Sequence, residues 1–76
     1  MIHINTWHAG EIVAAYIADD NEVPTGTPVG RSGNAVLLRD GDFEHIISRP
    51  RIDGSILDAI PGAVDAPEMD LGKYFA

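Results

Sequence analysis

The sequence contains no cysteine, few basic residues and no long run of apolar residues. Without cysteine, the chain can form neither disulfides nor thiolate metal sites. Acidic residues number 12 against 5 basic ones, which gives a net charge of −7. We therefore expect neither nucleic acid nor a membrane as a direct partner, because nucleic acids and anionic membranes both bind basic surfaces. The longest apolar run, Ile12–Ala18, is too short to cross a bilayer.

The length predicts one small domain that spans residues 1–76. A chain of this size buries only about 60–65% of the surface that is exposed when it is unfolded. Such a core rarely supplies more than about 3–5 kcal/mol of stability by itself. We therefore expect an acidic, soluble protein that gains stability from a protein partner.

The stretch Asn34–Arg49 predicts a β-hairpin at the centre of the fold. Two apolar runs, Ala35–Leu38 and Phe43–Ile47, flank Asp40-Gly41. This dipeptide is typical of a type I′ turn, in which both central residues need a positive φ. Apolar residues fall on both faces, which indicates a central hairpin that is covered on each side. The cross-strand pairs expected with this turn are Arg39–Asp42, Leu38–Phe43, Val36–His45 and Ala35–Ile46.

The segments before the hairpin are expected to be extended. Residues 1–8 alternate apolar and polar side chains and are interpreted as an N-terminal strand or arm. Glu11–Ala18 fits a helix by its i,i+4 spacing and a buried strand by its apolar run. Its β-branched residues favour the strand. Prolines and glycines in Asp19–Gly33 leave room for at most a short edge strand at Thr27–Arg31.

The segments after the hairpin predict a short helix and a tail. The helix is expected near residues 53–60, with Asp53 or Ser55 as its N-cap and Pro61-Gly62 as its stop. Residues 63–76 are expected to form an acidic C-terminal tail. The predicted fold is therefore mainly β, a small barrel or sandwich around the hairpin, with one short helix and extended arms at both termini.

Two motifs that could carry chemistry fail on spacing. Gly26–Ser32 lacks the lysine and the glycine spacing of a phosphate-binding P-loop, and Gly30–Gly33 is one residue short of a serine nucleophile elbow. The histidines His3, His8 and His45 show no spacing that selects a zinc site. We assign no catalytic, cofactor-binding or metal-binding residue and expect no cofactor and no enzyme activity, with a hydrolase that uses His45 as the alternative.

The two ends of the chain predict a protein interface. No basic residue occurs from Ile52 to Gly72, and aromatic residues close both ends. Aromatics on extended arms are effective interface anchors because they bury a large area at a low entropy cost. The alternatives are an acidic surface that only keeps the protein soluble and aromatics that fold back onto their own domain. The expected interface residues are Trp7, Tyr74, Phe75, Asp65, Glu68 and Asp70.

One stretch of the chain resembles a known family. Ala9-Gly10-Glu11, followed by the VPTGTPVG phrase at Val23–Gly30, is similar to the opening half of tailed-phage head decoration (capsid cement) proteins. Those proteins often carry an AGE segment and then a P/A-x-G-T-x-x-G turn before a β-rich body. The resemblance implies a non-enzymatic, β-rich protein that binds the outside of a capsid, often as a trimer.

Two hypotheses for function remain besides the enzyme. The first is a virion structural protein that stabilises an assembly by contacts with the capsid or with neighbouring copies of itself. It would be located in the virion if phage-derived and otherwise in the cytoplasm. The alternative is a small acidic inhibitor, a possible nucleic-acid mimic, that docks on a host nucleic-acid-binding protein through Asp53–Asp70.

Overall fold

In the computed structural model, which describes residues 1–75, the chain forms one open antiparallel sheet of five strands. The mainly β prediction is confirmed, whereas a closed barrel or a sandwich is not. Ala76, the last residue of the predicted tail 63–76, lies outside the described residues. The spatial order of the strands is β2-β1-β5-β4-β3. Their bounds are β1 Ile2–His8, β2 Glu11–Ala18, β3 Thr27–Ser32, β4 Ala35–Asp40 and β5 Phe43–Ser48.

The predicted hairpin is present as β4 and β5, but its turn lies one residue later than expected. Asp40 pairs with Phe43 and Leu38 pairs with His45, so the turn residues are Gly41-Asp42. Only Gly41 has a positive φ, of 59°, and a type II′ turn requires glycine at this first central position. The pairing is therefore displaced by two residues from the prediction. Because side chains alternate with a period of two, each stays on its predicted face.

Each face of the sheet is covered by its own apolar cluster. The first cluster joins β1, β4 and β5 to the segment that follows β5, and its buried residues are Ile2, Ile4, Val36, Leu38, Ile47, Ile56, Ile60 and Ala63. The second cluster joins the other face of the hairpin to the end of the chain, and its buried residues are Ala35, Leu37, Ile46, Leu71 and Tyr74. The expectation that the hairpin is central and covered on both sides is confirmed.

The segment 53–60 does not form one continuous helix. It contributes to two separate 3-10 turns, Arg51–Asp53 and Ile56–Asp58. Gly54 interrupts them with a φ of 101°, a conformation that L-residues rarely adopt. Further 3-10 turns occur at Ala63–Asp65 and Gly72–Phe75. No helix within residues 1–75 is long and apolar enough to span a membrane.

The segments expected as terminal arms are both part of the folded domain. Residues 1–8 contain β1, which pairs with β2 on one side and β5 on the other, so the strand interpretation holds and the arm does not. The C-terminal segment folds back along β3, where Arg31 N–H donates to the Pro67 carbonyl over 3.0 Å and Met69 N–H donates to the Arg31 carbonyl over 3.0 Å. Neither segment extends away from the domain within the described residues.

Candidate protein interface

The three histidines lie on β1 and β5. The Thr6 hydroxyl and His45 Nδ1 are 2.8 Å apart, and burial lowers the pKa of His45 despite an opposing effect of Asp40. The ring of His8 packs on Phe43 with centroids 4.8 Å apart, while His3 is exposed. Among residues 1–75, no group of three or more His, Cys, Asp or Glu side chains could hold a metal ion.

The most unusual surface of the protein is strand β2. It lies at one edge of the sheet and, within residues 1–75, is paired only with β1. Its strand character agrees with the β-branched residues in Glu11–Ala18, but seven of its eight residues are exposed. The exposed fractions of its large apolar side chains are Ile12 45%, Val13 56%, Tyr16 48% and Ile17 55%.

These apolar side chains occupy both faces of the sheet. Tyr16 lies opposite Ile4, a member of the first cluster, and Ile17 lies opposite His3 on the other face. The register of β2 against β1 shifts between Thr6 and Trp7. A strand that is apolar on both faces is typical of the interior of a sheet that is covered on each side. The composition of β2 therefore suits an interior strand, whereas its position is an edge.

The opposite edge of the sheet is protected in ways that β2 is not. Strand β3 carries Pro28 and is covered by the chain segment around Pro67–Met69. Arg31 holds this segment through Nε, which donates to the Ala66 carbonyl over 2.9 Å, and through an ion pair with Glu68 at 3.1 Å. Proline, charge and a covering loop are common means of protecting an edge strand. Strand β2 contains no proline and no basic residue.

Acidic residues lie at both ends of β2. Glu11 is its first residue, and Asp19, Asp20 and Glu22 follow its last, all of them exposed. Two cations at the second end both pair with Asp20: the N-terminal amine at 2.8 Å and Arg49 at 2.8 Å. The hydrogen bond from the amine lowers the pKa of Asp20, and the same bond raises the pKa of the amine. The open apolar edge thus has Glu11 at one end and Asp19 at the other, while Asp20 is occupied by these two cations.

A smaller feature lies where the C-terminal segment meets β1 and β5. Trp7 Nε1 donates to the Tyr74 carbonyl over 3.2 Å, and the two rings meet edge to face with centroids 5.9 Å apart. The Tyr74 hydroxyl donates to Glu44 over 2.7 Å. Burial, together with this bond, raises the pKa of Tyr74. These residues line a cavity of about 280 Å³ with Gly10 and Lys73.

Two of the predicted interface residues pack within the domain, and the other four are exposed at the surface. Trp7 and Tyr74 pack against each other within the domain, while Phe75 is 50% exposed. Asp65, Glu68 and Asp70 are exposed; Glu68 pairs with Arg31, and Asp70 accepts a hydrogen bond from Gly72 N–H over 2.9 Å. Their contact with a partner stays a prediction. The sequence signalled a strand at β2, but its edge position follows only from the strand order.

Comparison with known proteins finds no matching family model, no similar curated protein and no similar solved structure. In the fold, Ala9-Gly10 forms the turn between β1 and β2, and Val23–Gly30 leads into β3. The fold and the β2 surface together describe a small antiparallel sheet protein with one edge covered by its own chain and one edge open.

Proposed function

We propose that this protein is a non-enzymatic structural component that stabilises a larger assembly through protein–protein contacts. The exposed apolar strand β2 carries this proposal. Burying apolar surface stabilises a contact by about 25 cal/mol per Å², and an added strand would also satisfy the free backbone groups of the edge. The resemblance of Ala9–Gly30 to capsid decoration proteins favours a phage capsid as the assembly and the virion as the location.

The small size of β2 suits a weak contact that is repeated many times in an assembly. Its eight residues span about 27 Å, at roughly 3.4 Å per residue. One strand of this length offers much less than the roughly 800 Å² per partner that a standard stable interface buries. In an assembly with many copies, weak contacts that form together hold far more strongly than each does alone. A capsid surface provides such repetition.

The experiment compares one substitution inside β2 with the same substitution outside it. Ile17→Lys places a charge on the exposed strand, and Ile52→Lys places one at a side chain that is 93% exposed in a 3-10 turn. Each variant is added to particles of the source virus that lack the protein, and the temperature at which they release DNA is measured. We expect wild type and Ile52→Lys to raise this temperature and Ile17→Lys to leave it unchanged.

Two results would contradict the proposal. The first is absence of the protein from purified wild-type particles, which would remove the virion role. The second is equal stabilisation by wild type and Ile17→Lys, which would show that β2 does not contact the particle. Folding of both variants is checked by circular dichroism, because lysine on an exposed edge strand is a common natural feature and should be tolerated.

The acidic inhibitor is retained as a second proposal because the acidic residues of Asp53–Asp70 are exposed. Only Glu68 among them pairs with a basic side chain in the described residues. Docking through these carboxylates onto a basic protein should weaken steeply as ionic strength rises, whereas an apolar contact through β2 should not. The carboxylates in question are Asp53, Asp58, Asp65, Glu68 and Asp70.

A further inference from the structure

We propose that β2 binds an extended segment of a partner protein whose apolar centre is flanked by lysine or arginine at each end. This inference rests on the proposed function and names the chemistry of the partner. Exposed strands capture extended segments through main-chain hydrogen bonds, and side chains on alternate positions supply specificity. The open edge and the apolar side chains on both faces of β2 meet these requirements.

The charges at the ends of β2 decide which kind of segment fits. The apolar run Ile12–Ala18 is bounded by Glu11 on one side and by Asp19 on the other. Asp20 is already paired with the N-terminal amine and with Arg49, so Glu11 and Asp19 are the carboxylates that a bound segment would meet. A paired segment would place a residue beside each of these ends. Basic residues there would attract the carboxylates, whereas acidic ones would repel them. A complementary segment therefore carries basic residues about eight positions apart, with apolar residues between them.

A second copy of this chain fits the same edge less well. Antiparallel pairing of two identical strands requires a two-fold axis perpendicular to the sheet. The register that pairs the whole run Ile12–Ala18 with itself places Ala15 on this axis, since 15 is midway between 12 and 18. Glu11 of each copy then lies opposite Asp19 of the other. Each copy also carries a net charge of −7, so like charges meet at both ends.

The test uses two synthetic peptides and the intact protein. Both peptides alternate valine and threonine over the length of β2; one has lysine at each end and the other glutamate. Each is titrated into the isotope-labelled protein, and backbone amide shifts are followed by NMR. We expect the lysine peptide to shift the amides of Ile12–Ala18 and to bind about tenfold more tightly than the glutamate peptide at low salt, as two weak ion pairs would produce.

Protein variants test whether the preference for the lysine peptide depends on the carboxylates at the ends of β2. In Glu11→Gln/Asp19→Asn, the two peptides should bind equally. The matched control, Asp40→Asn/Asp42→Asn, removes the same charge from exposed positions outside the ends of β2 and should keep the tenfold difference. About 1 M salt should also abolish the difference, because exposed charges are then screened beyond about 3 Å.

Three outcomes would overturn the proposal. Equal binding of both peptides to the wild-type protein would show that the charges at the ends of β2 do not select the partner. Binding of neither peptide would show that β2 does not bind an extended segment of this kind. Self-association in sedimentation that grows with salt and is lost in Ile17→Lys would show that the occupant is a second copy. If the peptides fail while Ile17→Lys still abolishes particle stabilisation, the partner chemistry is wrong and the proposed function stands.

Discussion

The side chain of Asn34 is predicted to make a large contribution to the stability of this protein. It precedes β4 and bridges two parts of the chain that follow β5. Its Nδ2 donates to the Arg49 carbonyl over 2.7 Å and to the Gly54 carbonyl over 3.0 Å, and its Oδ1 accepts from Ile56 N–H over 2.7 Å. Ile56 is fully buried in the first cluster. The amide thus fixes the chain where it begins to cover the sheet.

The expected loss in Asn34→Ala follows from these three hydrogen bonds. Each contributes about 1 kcal/mol, and partial exposure of the site reduces the sum to about 2–3 kcal/mol. The core of a domain of 76 residues supplies about 3–5 kcal/mol of stability, so the loss is a large share. It corresponds to a decrease in Tm of about 10–20 °C.

The assay is urea unfolding followed by Trp7 fluorescence, together with amide hydrogen exchange. Asn21→Ala is the control, since Asn21 is exposed in the connection between β2 and β3 and its loss should change the free energy of unfolding by less than about 0.5 kcal/mol. In Asn34→Ala the amide of Ile56 should exchange faster relative to the amides of β1. A loss below about 1 kcal/mol, or unchanged exchange at Ile56, would refute the role assigned to Asn34.

Three further predictions concern the backbone and the half-buried His45. Ala9 has a φ of 50° in the β1–β2 turn, and because asparagine tolerates this conformation better, Ala9→Asn should raise the free energy of unfolding by about 0.5–1 kcal/mol; lower stability in thermal melts would contradict this. A Cβ added at Gly30 would overlap Met69 Sδ, and because the flexible Met69 side chain is 41% exposed and can shift, Gly30→Ala should cost only about 1 kcal/mol. Gly30→Ala/Met69→Ala should recover part of that loss in urea unfolding, and strict additivity of the two single changes would refute the clash. Burial lowers the pKa of His45 in the folded protein, so the unfolded chain binds this proton more readily. Stability should therefore fall as the pH drops through about 6.5 towards the lower folded pKa. His45→Gln should remove that slope in melts between about pH 7 and pH 5.

The strands and the covered faces of the hairpin were predictable because they depend on local alternation. Val36 and Leu38 point to one cluster and Leu37 to the other, as the period of two requires. The turn was less predictable, since both Asp40-Gly41 and Gly41-Asp42 are plausible hairpin turns in isolation. A shift of two residues preserves the faces, so the apolar pattern gives no information that separates these registers.

The predicted helix failed for a different reason. The apolar spacing of Ile56 and Ile60 suits one helical face, and both residues are buried in the first cluster as expected of such a face. The backbone reaches this arrangement with short 3-10 turns, because Gly54 adopts a positive φ and Asn34 from another part of the chain accepts the hydrogen bond of Ile56 N–H. Tertiary contacts of this kind override local helix propensity.

The surroundings of Trp7 and Tyr74 could not be predicted from local sequence patterns. Trp7 and Tyr74 were selected as residues near the ends of the chain, yet they lie 5.9 Å apart between ring centroids. Their contact results from placing β1 in the interior of the sheet and folding the C-terminal segment onto it. Sequence patterns contain no information on this strand order, and for the same reason they could not identify β2 as the open edge.

The contrast between the two edges bears directly on how this protein exists in its native setting. The C-terminal segment covers β3 with backbone hydrogen bonds and with the Arg31–Glu68 pair, but nothing within residues 1–75 covers the outer side of β2. An eight-residue strand with unpaired backbone groups, four exposed large apolar side chains and no proline or lysine favours uncontrolled pairing. Such a strand is compatible with a soluble state only if its exposure is brief or its partner is abundant. The proposed role in an assembly would meet that condition, because contacts within the assembly would then cover the strand.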